Sequence, residues 1–340
     1  MKPARVLIVG SSAAVRRRLA EALASDPGIE LMGAVADWPV TARRIGDEVP
    51  DAIVLGTGGR HMDGLALLRQ TMARRPIPVL VCSRLAGNGA ESALKALELG
   101  AVGVIALPES GVGAFLRQSR HGLCLAAKAA AAAGPRPGRI EKPCLSGGAA
   151  AGAGRVVLVG ASTGGPEALG VALKALPAGS PGLLIVQHMP APLTAAFARH
   201  LDGQCAIAVK EAEDGDPVLP GRALLAPGNR HLLLRHSGGR YYAELRIGGP
   251  RCRYRPSVDV LFRSGARCAG PNAVGVLLTG MGSDGARGLL CLKQAGASTI
   301  VQDEATSAAF AMPRAAMKLG AAARMHPIGG IAPAILEACQ

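Results

Sequence analysis

The chain has 340 residues, more than one compact domain usually needs, so two units are expected, each with its own core. Apolar residues make up 49% but aromatic ones only 2%, which excludes a core of large rings and favours α/β layers in close helix–sheet contact. The formal net charge of +14 suits an acidic partner, yet the basic residues are scattered and almost no aromatics interleave them, which disfavours nucleic-acid binding.

The first apolar run, VLIVG at residues 6–10, falls far short of the roughly 18 residues of a membrane span, and no small-residue cleavage pattern follows it. A cytoplasmic protein without membrane insertion is expected. The eight cysteines include no C-x-x-C pair and no neighbouring His at metal spacing, so they read as small buried residues or free thiols rather than ligands.

Residues 1–125 alternate short aliphatic runs with helical stretches: RVLIVG, AAVRRRLAEALAS, DAIVLG, GLALLRQTMAR, PVLVCS, ESALKALELGA and VGVIAL. This βαβ rhythm predicts a parallel doubly wound sheet whose functional end is the carboxyl edge of the strands. Residues 126–153 are dominated by Ala, Gly and Pro and read as a linker, its first part able to extend a helix.

From residue 154 to 340 strand signals resume with RVVLVG, LLIVQ, RALLAP, AVGVLLT and STIVQ, and helical runs such as PEALGVALKAL and GARGLLCLKQAG lie between them. Residues 231–235 and 242–247, joined through HSGGRY, predict an antiparallel hairpin at the edge of a mostly parallel sheet.

Three of these strands end in chemistry-bearing residues. RVVLVG runs into A-S-T-G-G-P-E, which places Ser162 at a strand-to-helix turn with glycines that admit a substrate and backbone N–H groups that face outward. A bare capping turn or a phosphate loop would look similar, but Ser at 162 breaks the G-x-G-x-x-G fingerprint. LLIVQHMP ends in His188, a base on the neighbouring strand, and AVGVLLT runs into G-M-G-S-D-G, which brings Asp284 to the same edge. A serine, a base to take its proton and a carboxylate to orient that base are the parts acyl transfer requires.

The blocks GASTGGPEAL, VQHMP, PSVDVLFRS, LLTGMGSDGARGL and QDEATSAAFAMPRAA resemble, in order, the chemotaxis protein-glutamate methylesterase (CheB) family across residues 155–340. The resemblance implies hydrolysis of glutamate methyl esters on methyl-accepting chemoreceptors, deamidation of receptor glutamines, and no metal or organic cofactor. It puts the nucleophile on Ser162, the base on His188, the orienting acid on Asp284 and the oxyanion donor on the Met281 N–H, with Thr163 beside the nucleophile as an assisting group. The catalytic half should then be a doubly wound methylesterase domain.

The first half resembles a response-regulator receiver, a flavodoxin-like fold, in MDGLALLR, in PVLVCSRLAGNGAESALKALELGA and in Pro108. Its phosphorylation chemistry is missing: Ser11 and Ser12 stand where receivers carry an acidic pair, Gly56 where they carry the phosphoaccepting Asp, and Leu107 where they carry a lysine. Ser83 keeps the place of the switch hydroxyl, and Asp63 belongs to a neighbouring turn. A receiver without these carboxylates is expected neither to hold Mg²⁺ nor to accept phosphate, so the esterase would be constitutive or governed by another chemotaxis signalling protein that engages the first domain. Two other readings remain, a regulatory scaffold outside chemotaxis and a nucleotide-binding oxidoreductase. The second rests on fold analogy alone.

Overall fold

A computed structural model of the chain describes residues 2–36, 38–57, 64–84, 89–132, 154–248 and 254–340. Asp63, Cys144 and residues 133–153 of the expected linker lie outside the described residues. The chain divides into two compact units, Met1–Gly138 and Arg139–Gln340.

The first unit runs β1 (Ala4–Gly10), α1 (Ala13–Leu23), β2 (Ile29–Val35), α2 (Trp38–Asp47), β3 (Ala52–Thr57), α3 (Gly64–Arg74), β4 (Val79–Arg84), α4 (Gly89–Glu98), β5 (Gly103–Leu107), α5 (Val112–Gln118) and α6 (Arg120–Ala132). Its five strands are all parallel in the order β2-β1-β3-β4-β5, the flavodoxin-like doubly wound arrangement. Alternation along β1 serves two cores. Val6 and Ile8 pack with Leu19, Leu23 and Leu116 on one face, while Leu7 and Val9 pack with Leu67, Leu68 and Ile45 on the other. A strand covered on both faces must be apolar throughout, which is why RVLIVG reads as an unbroken run.

The second unit continues with β6 (Val156–Ala161), α7 (Gly165–Lys174), β7 (Gly182–Gln187), α8 (Ala191–Asp202), β8 (Ala208–Glu211), β9 (Arg222–Leu225), β10 (His231–Ser237) and β11 (Arg240–Arg246). It ends with α9 (Val258–Cys268), β12 (Ala273–Leu277), α10 (Ala286–Gln294), β13 (Ser298–Gln302), α11 (Ala311–Lys318), β14 (Arg324–His326) and α12 (Ile328–Ala338). Seven strands form a parallel sheet in the order β14-β13-β12-β6-β7-β9-β8. The predicted hairpin is present as β10 and β11, antiparallel through a two-residue turn at Gly238 and Gly239, whose φ of +57° and +75° suit a type I′ turn. It makes a two-stranded sheet of its own, and Leu232 and Leu234 share a core with Leu261, Phe262, Leu289 and Leu292.

Three strands escaped the sequence reading: β2, β8 and β14. All three are edge strands, and β2 and β14 are half-exposed or less regular in burial. An edge strand need not carry an aliphatic run, so IELMGAV, AVKE and RMH lack the signature of their central neighbours.

Candidate active site

The carboxyl edge of the second sheet gathers the three predicted catalytic residues. β6 stops at Ala161 because the next residues turn: Gly164, with φ +76°, caps α7, and Pro166 sits in its first turn. A side chain at Gly164 would also place its Cβ 2.2 Å from that of Ala308, so both conformation and space demand glycine. Ser162 is pinned through its backbone. Its N–H donates to Thr279 O at 3.0 Å, and its carbonyl accepts from Gly165 N at 2.8 Å and from Gln187 Nε2 at 2.9 Å. Its hydroxyl makes no hydrogen bond among the described residues and is partly exposed.

Parallel register brings His188 to the neighbouring strand end. Ala161 is paired with Gln187, and His188 N–H donates to Ala161 O at 3.0 Å, so Ser162 and His188 begin adjacent turns from adjacent strands. Neighbouring strands lie about 4.8 Å apart, which sets the spacing of the two residues. His188 Nε2 is 2.8 Å from Asp284 Oδ2, whereas Nδ1 is buried and unpartnered. With the Nε2 proton directed at the carboxylate, Nδ1 is the lone-pair nitrogen free to act as base. The imidazole lies flat on Tyr254, with ring centroids 4.7 Å apart and planes within 6°.

Asp284, only 8% exposed, is held by more than His188. Its carboxylate accepts from Ser257 Oγ at 2.8 Å, Val258 N at 2.8 Å and Asp259 N at 3.1 Å, and so takes up the first N–H groups of α9. The exchange is mutual. Asp259 Oδ1 accepts from Gly285 N at 3.0 Å and Gly288 N at 2.7 Å at the start of α10. Each helix thus lends a carboxylate to the other's amino terminus. Burial pushes the Asp284 carboxyl up, but the hydrogen bond and charge of His188, the Ser257 hydroxyl and the Val258 N–H outweigh it, so its pKa is lowered and it stays ionised.

The loop between β12 and α10 carries Met281. Its predecessor Gly280 donates to Ala309 O at 2.8 Å and accepts from Met312 N at 3.0 Å. A Cβ at Gly280 would lie 2.7 Å from Ser162 Cβ, so the loop passes directly against the Ser162 side chain. Thr163 is placed through its carbonyl, which accepts from Thr279 Oγ1 at 2.9 Å. Thr279 is fully buried, and its N–H donates to the amide oxygen of Gln302 at 2.8 Å.

Sequence reasoning named Ser162, His188 and Asp284, which the fold brings to one sheet edge, but not the residues packed or bonded around them: Tyr254, Ser257, Asp259, Thr279 and Gln302. Ser257 and Asp259 stand in PSVDVLFRS, where a Ser before an apolar helical run is a cap signal, but the partner of that cap lies 25 or more positions further on. Nearby, His231 is 3% exposed, and neither ring nitrogen has a hydrogen-bond partner among the described residues; burial first, then the charge of Arg255, pushes its pKa down against the opposing pull of Asp284.

In the first unit the corresponding edge holds Gly10, Gly56 and Cys82 in register across β1, β3 and β4. Ser12 caps α1, its Oγ accepting from Val15 N at 3.4 Å, and Ser83 Oγ donates to Arg84 O at 3.2 Å. Arg16 donates to the carbonyls of Gly10 and Ser11. The cavity bordered by Gly10, Ser12, Arg16, Gly56, Thr57 and Leu107 measures about 10 Å³ and has no carboxylate among its described lining residues. That volume admits roughly one water. Burial pushes the Cys82 thiol up to about 12, which leaves it unreactive.

Known proteins give this edge its context. Residues 157–335 match the family model described as CheB methylesterase. A protein-glutamate methylesterase/protein-glutamine glutaminase of Anaeromyxobacter dehalogenans is 57% identical over 100% of this chain and 98% of its own length. Another of the same description, from Geobacter metallireducens, is 52% identical over 100% of both. Among solved structures, the Thermotoga maritima CheB methylesterase catalytic domain is 35% identical and covers 54% of this chain and 98% of that one, with a TM-score of 0.53. With a full-length relative above half identity and a family model spanning the sheet that carries Ser162, His188 and Asp284, this chain belongs to the CheB methylesterase family.

Proposed function

We propose that the protein hydrolyses glutamate methyl esters on methyl-accepting chemoreceptors, releasing methanol, and deamidates receptor glutamines to glutamate, with Ser162, His188 and Asp284 as its catalytic triad. The observation that carries this reading is the 2.8 Å His188–Asp284 bond, which leaves Nδ1 unpartnered one strand away from Ser162.

In the acylation step Nδ1 of His188 takes the Ser162 proton as Oγ attacks the side-chain carbonyl carbon. The tetrahedral oxyanion is met by the Met281 N–H, with Thr163 beside it. Asp284 stabilises the imidazolium through Nε2, and that imidazolium then gives its proton to the leaving group as the bond to carbon breaks: to the ester oxygen, which departs as methanol, or, in the glutaminase reaction, to the amide nitrogen, which departs as ammonia. Water, deprotonated by His188, attacks the acyl-enzyme, and collapse returns Ser162 and a glutamate carboxylate. Every step uses groups of this chain and water. This reading places the enzyme in the cytoplasm, and its positive charge suits an acidic receptor surface.

The first unit, in this reading, is a receiver that is not phosphorylated on Asp. Gly56 supplies no acceptor, and Arg16 is bonded to the carbonyls of Gly10 and Ser11 where a receiver would hold its cation. Control then falls to a chemotaxis protein that binds this unit, or is absent.

The deciding assay is methanol release from a methyl-esterified chemoreceptor signalling domain. Release is expected, and none would overturn the substrate assignment and favour a scaffold outside chemotaxis. Acetyl phosphate with Mg²⁺ is expected to change the rate by less than about twofold, because no carboxylate accepts the phosphoryl group; a strong stimulation would restore the phosphorylation switch.

A further inference from the structure

We infer that Tyr254 is a positioning residue for the base, its ring setting the tilt of the His188 imidazole while its hydroxyl end rests against the loop that carries Met281. The inference builds on the catalytic reading of His188 above.

Two contacts support it. The Tyr254 ring lies 4.7 Å from the His188 ring, with the planes within 6°. At the far end of the same side chain, a Cβ added to Gly282, which has φ +85°, would stand 3.1 Å from the Tyr254 hydroxyl oxygen. One aromatic ring therefore spans the base and the loop of the oxyanion donor. The chain of 340 residues contains three tyrosines, four phenylalanines and one tryptophan, so aromatic rings are scarce in it.

The hydrogen bond to Asp284 holds His188 at one atom only. A ring fixed at Nε2 can still rock about that point and change where the Nδ1 lone pair is directed. A parallel aromatic face removes that freedom by closing one side of the imidazole. The contact also strengthens as the reaction proceeds, because a protonated imidazole over an aromatic face gains a cation–π attraction that the neutral ring lacks. An interaction stronger in the transition state than in the ground state acts on kcat rather than on KM.

Sequence continuity adds a third support. Tyr254 is followed within five positions by Ser257, Val258 and Asp259, whose hydroxyl and N–H groups hold Asp284. A single segment thus stacks on the base and anchors its acid, so a shift in one is transmitted to the other.

The test uses the full chain and the methanol-release assay with Tyr254→Phe, Tyr254→Leu, Tyr254→His and His188→Ala, each checked for its melting temperature. Tyr254→Phe should keep kcat within about twofold, since it keeps the ring, and Tyr254→Leu should lower kcat about tenfold or more with KM within about twofold. Tyr254→His, which restores a flat ring, should recover most of that loss. The inference is overturned if Tyr254→Leu turns over like the wild type, if its loss lies in KM, if Phe falls as far as Leu, or if His fails to rescue. A His188→Ala variant with full activity would instead sink the catalytic reading, whereas an inactive one beside a fully active Tyr254→Leu would sink only the role given to Tyr254.

Discussion

Ser162→Ala is expected to lower methanol release by about 10⁵- to 10⁶-fold while leaving the fold intact. The two halves of that expectation have separate causes. Nucleophilic catalysis is lost outright because the alanine has no oxygen to carry the acyl group. The fold is untouched because Ser162 is held by its backbone, through Thr279 O, Gly165 N and Gln187 Nε2, and its hydroxyl bonds to nothing among the described residues. The melting temperature should stay within about 2 °C of wild type, since no buried hydrogen bond is removed. Steady-state methanol release and a thermal scan on the same preparation check both. Undiminished release from the alanine variant would remove Ser162 from the mechanism.

Asp284 should behave differently, because the proposed triad gives it a catalytic part in addition to the structural one it plays at the start of α9. Asp284→Asn is expected to lower kcat about 10⁴-fold, since an amide beside Nε2 no longer stabilises the imidazolium and favours the wrong tautomer. Asp284→Ala should lose activity comparably and in addition destabilise the second unit by about 3–5 kcal/mol. It leaves His188 Nε2, Ser257 Oγ and the first two N–H groups of α9 without their acceptor at a site that is 8% exposed. Urea unfolding of the two variants beside wild type would show the contrast.

The same carboxylate makes acid stability predictable in sign. Its folded pKa is lowered, so the unfolded chain binds the proton first as pH falls. Its contribution is therefore complete above the unfolded value of about 3.9 and is lost as pH drops through the folded value. Asp284→Asn should flatten that part of the profile below about pH 4. If the variant retained the wild-type acid dependence, the ionised state of Asp284 would be refuted. This dual role also bears on the scaffold alternative: Asp284 by itself serves the amino terminus of α9, so the chemical reading depends on Ser162 and His188, neither of which that helix needs.

The range of the interactions involved decides how much was legible in the sequence. Central strands such as RVVLVG and LLIVQ announce themselves, because burial on both faces requires a continuous aliphatic run. The turn at Gly164 and the placement of Ser162 and His188 after consecutive parallel strands are likewise local consequences of sequence, since the carboxyl edge of a doubly wound sheet gathers the first residues after each strand. The identities of Ser11, Ser12 and Gly56, on which the proposal of an unphosphorylated first unit rests, are read from the sequence directly.

Tertiary structure decided the rest. The edge strands β2, β8 and β14 depend on one neighbour's ladder rather than on an apolar run of their own. Which imidazole nitrogen meets Asp284, the stacking of Tyr254, and the exchange of carboxylates between the amino termini of α9 and α10 join segments 25 to 96 positions apart. No local pattern encodes such pairs, because a carboxylate satisfies any N–H group that the fold brings within reach. The sequence alone therefore determined which groups could react; packing determined how they are aimed.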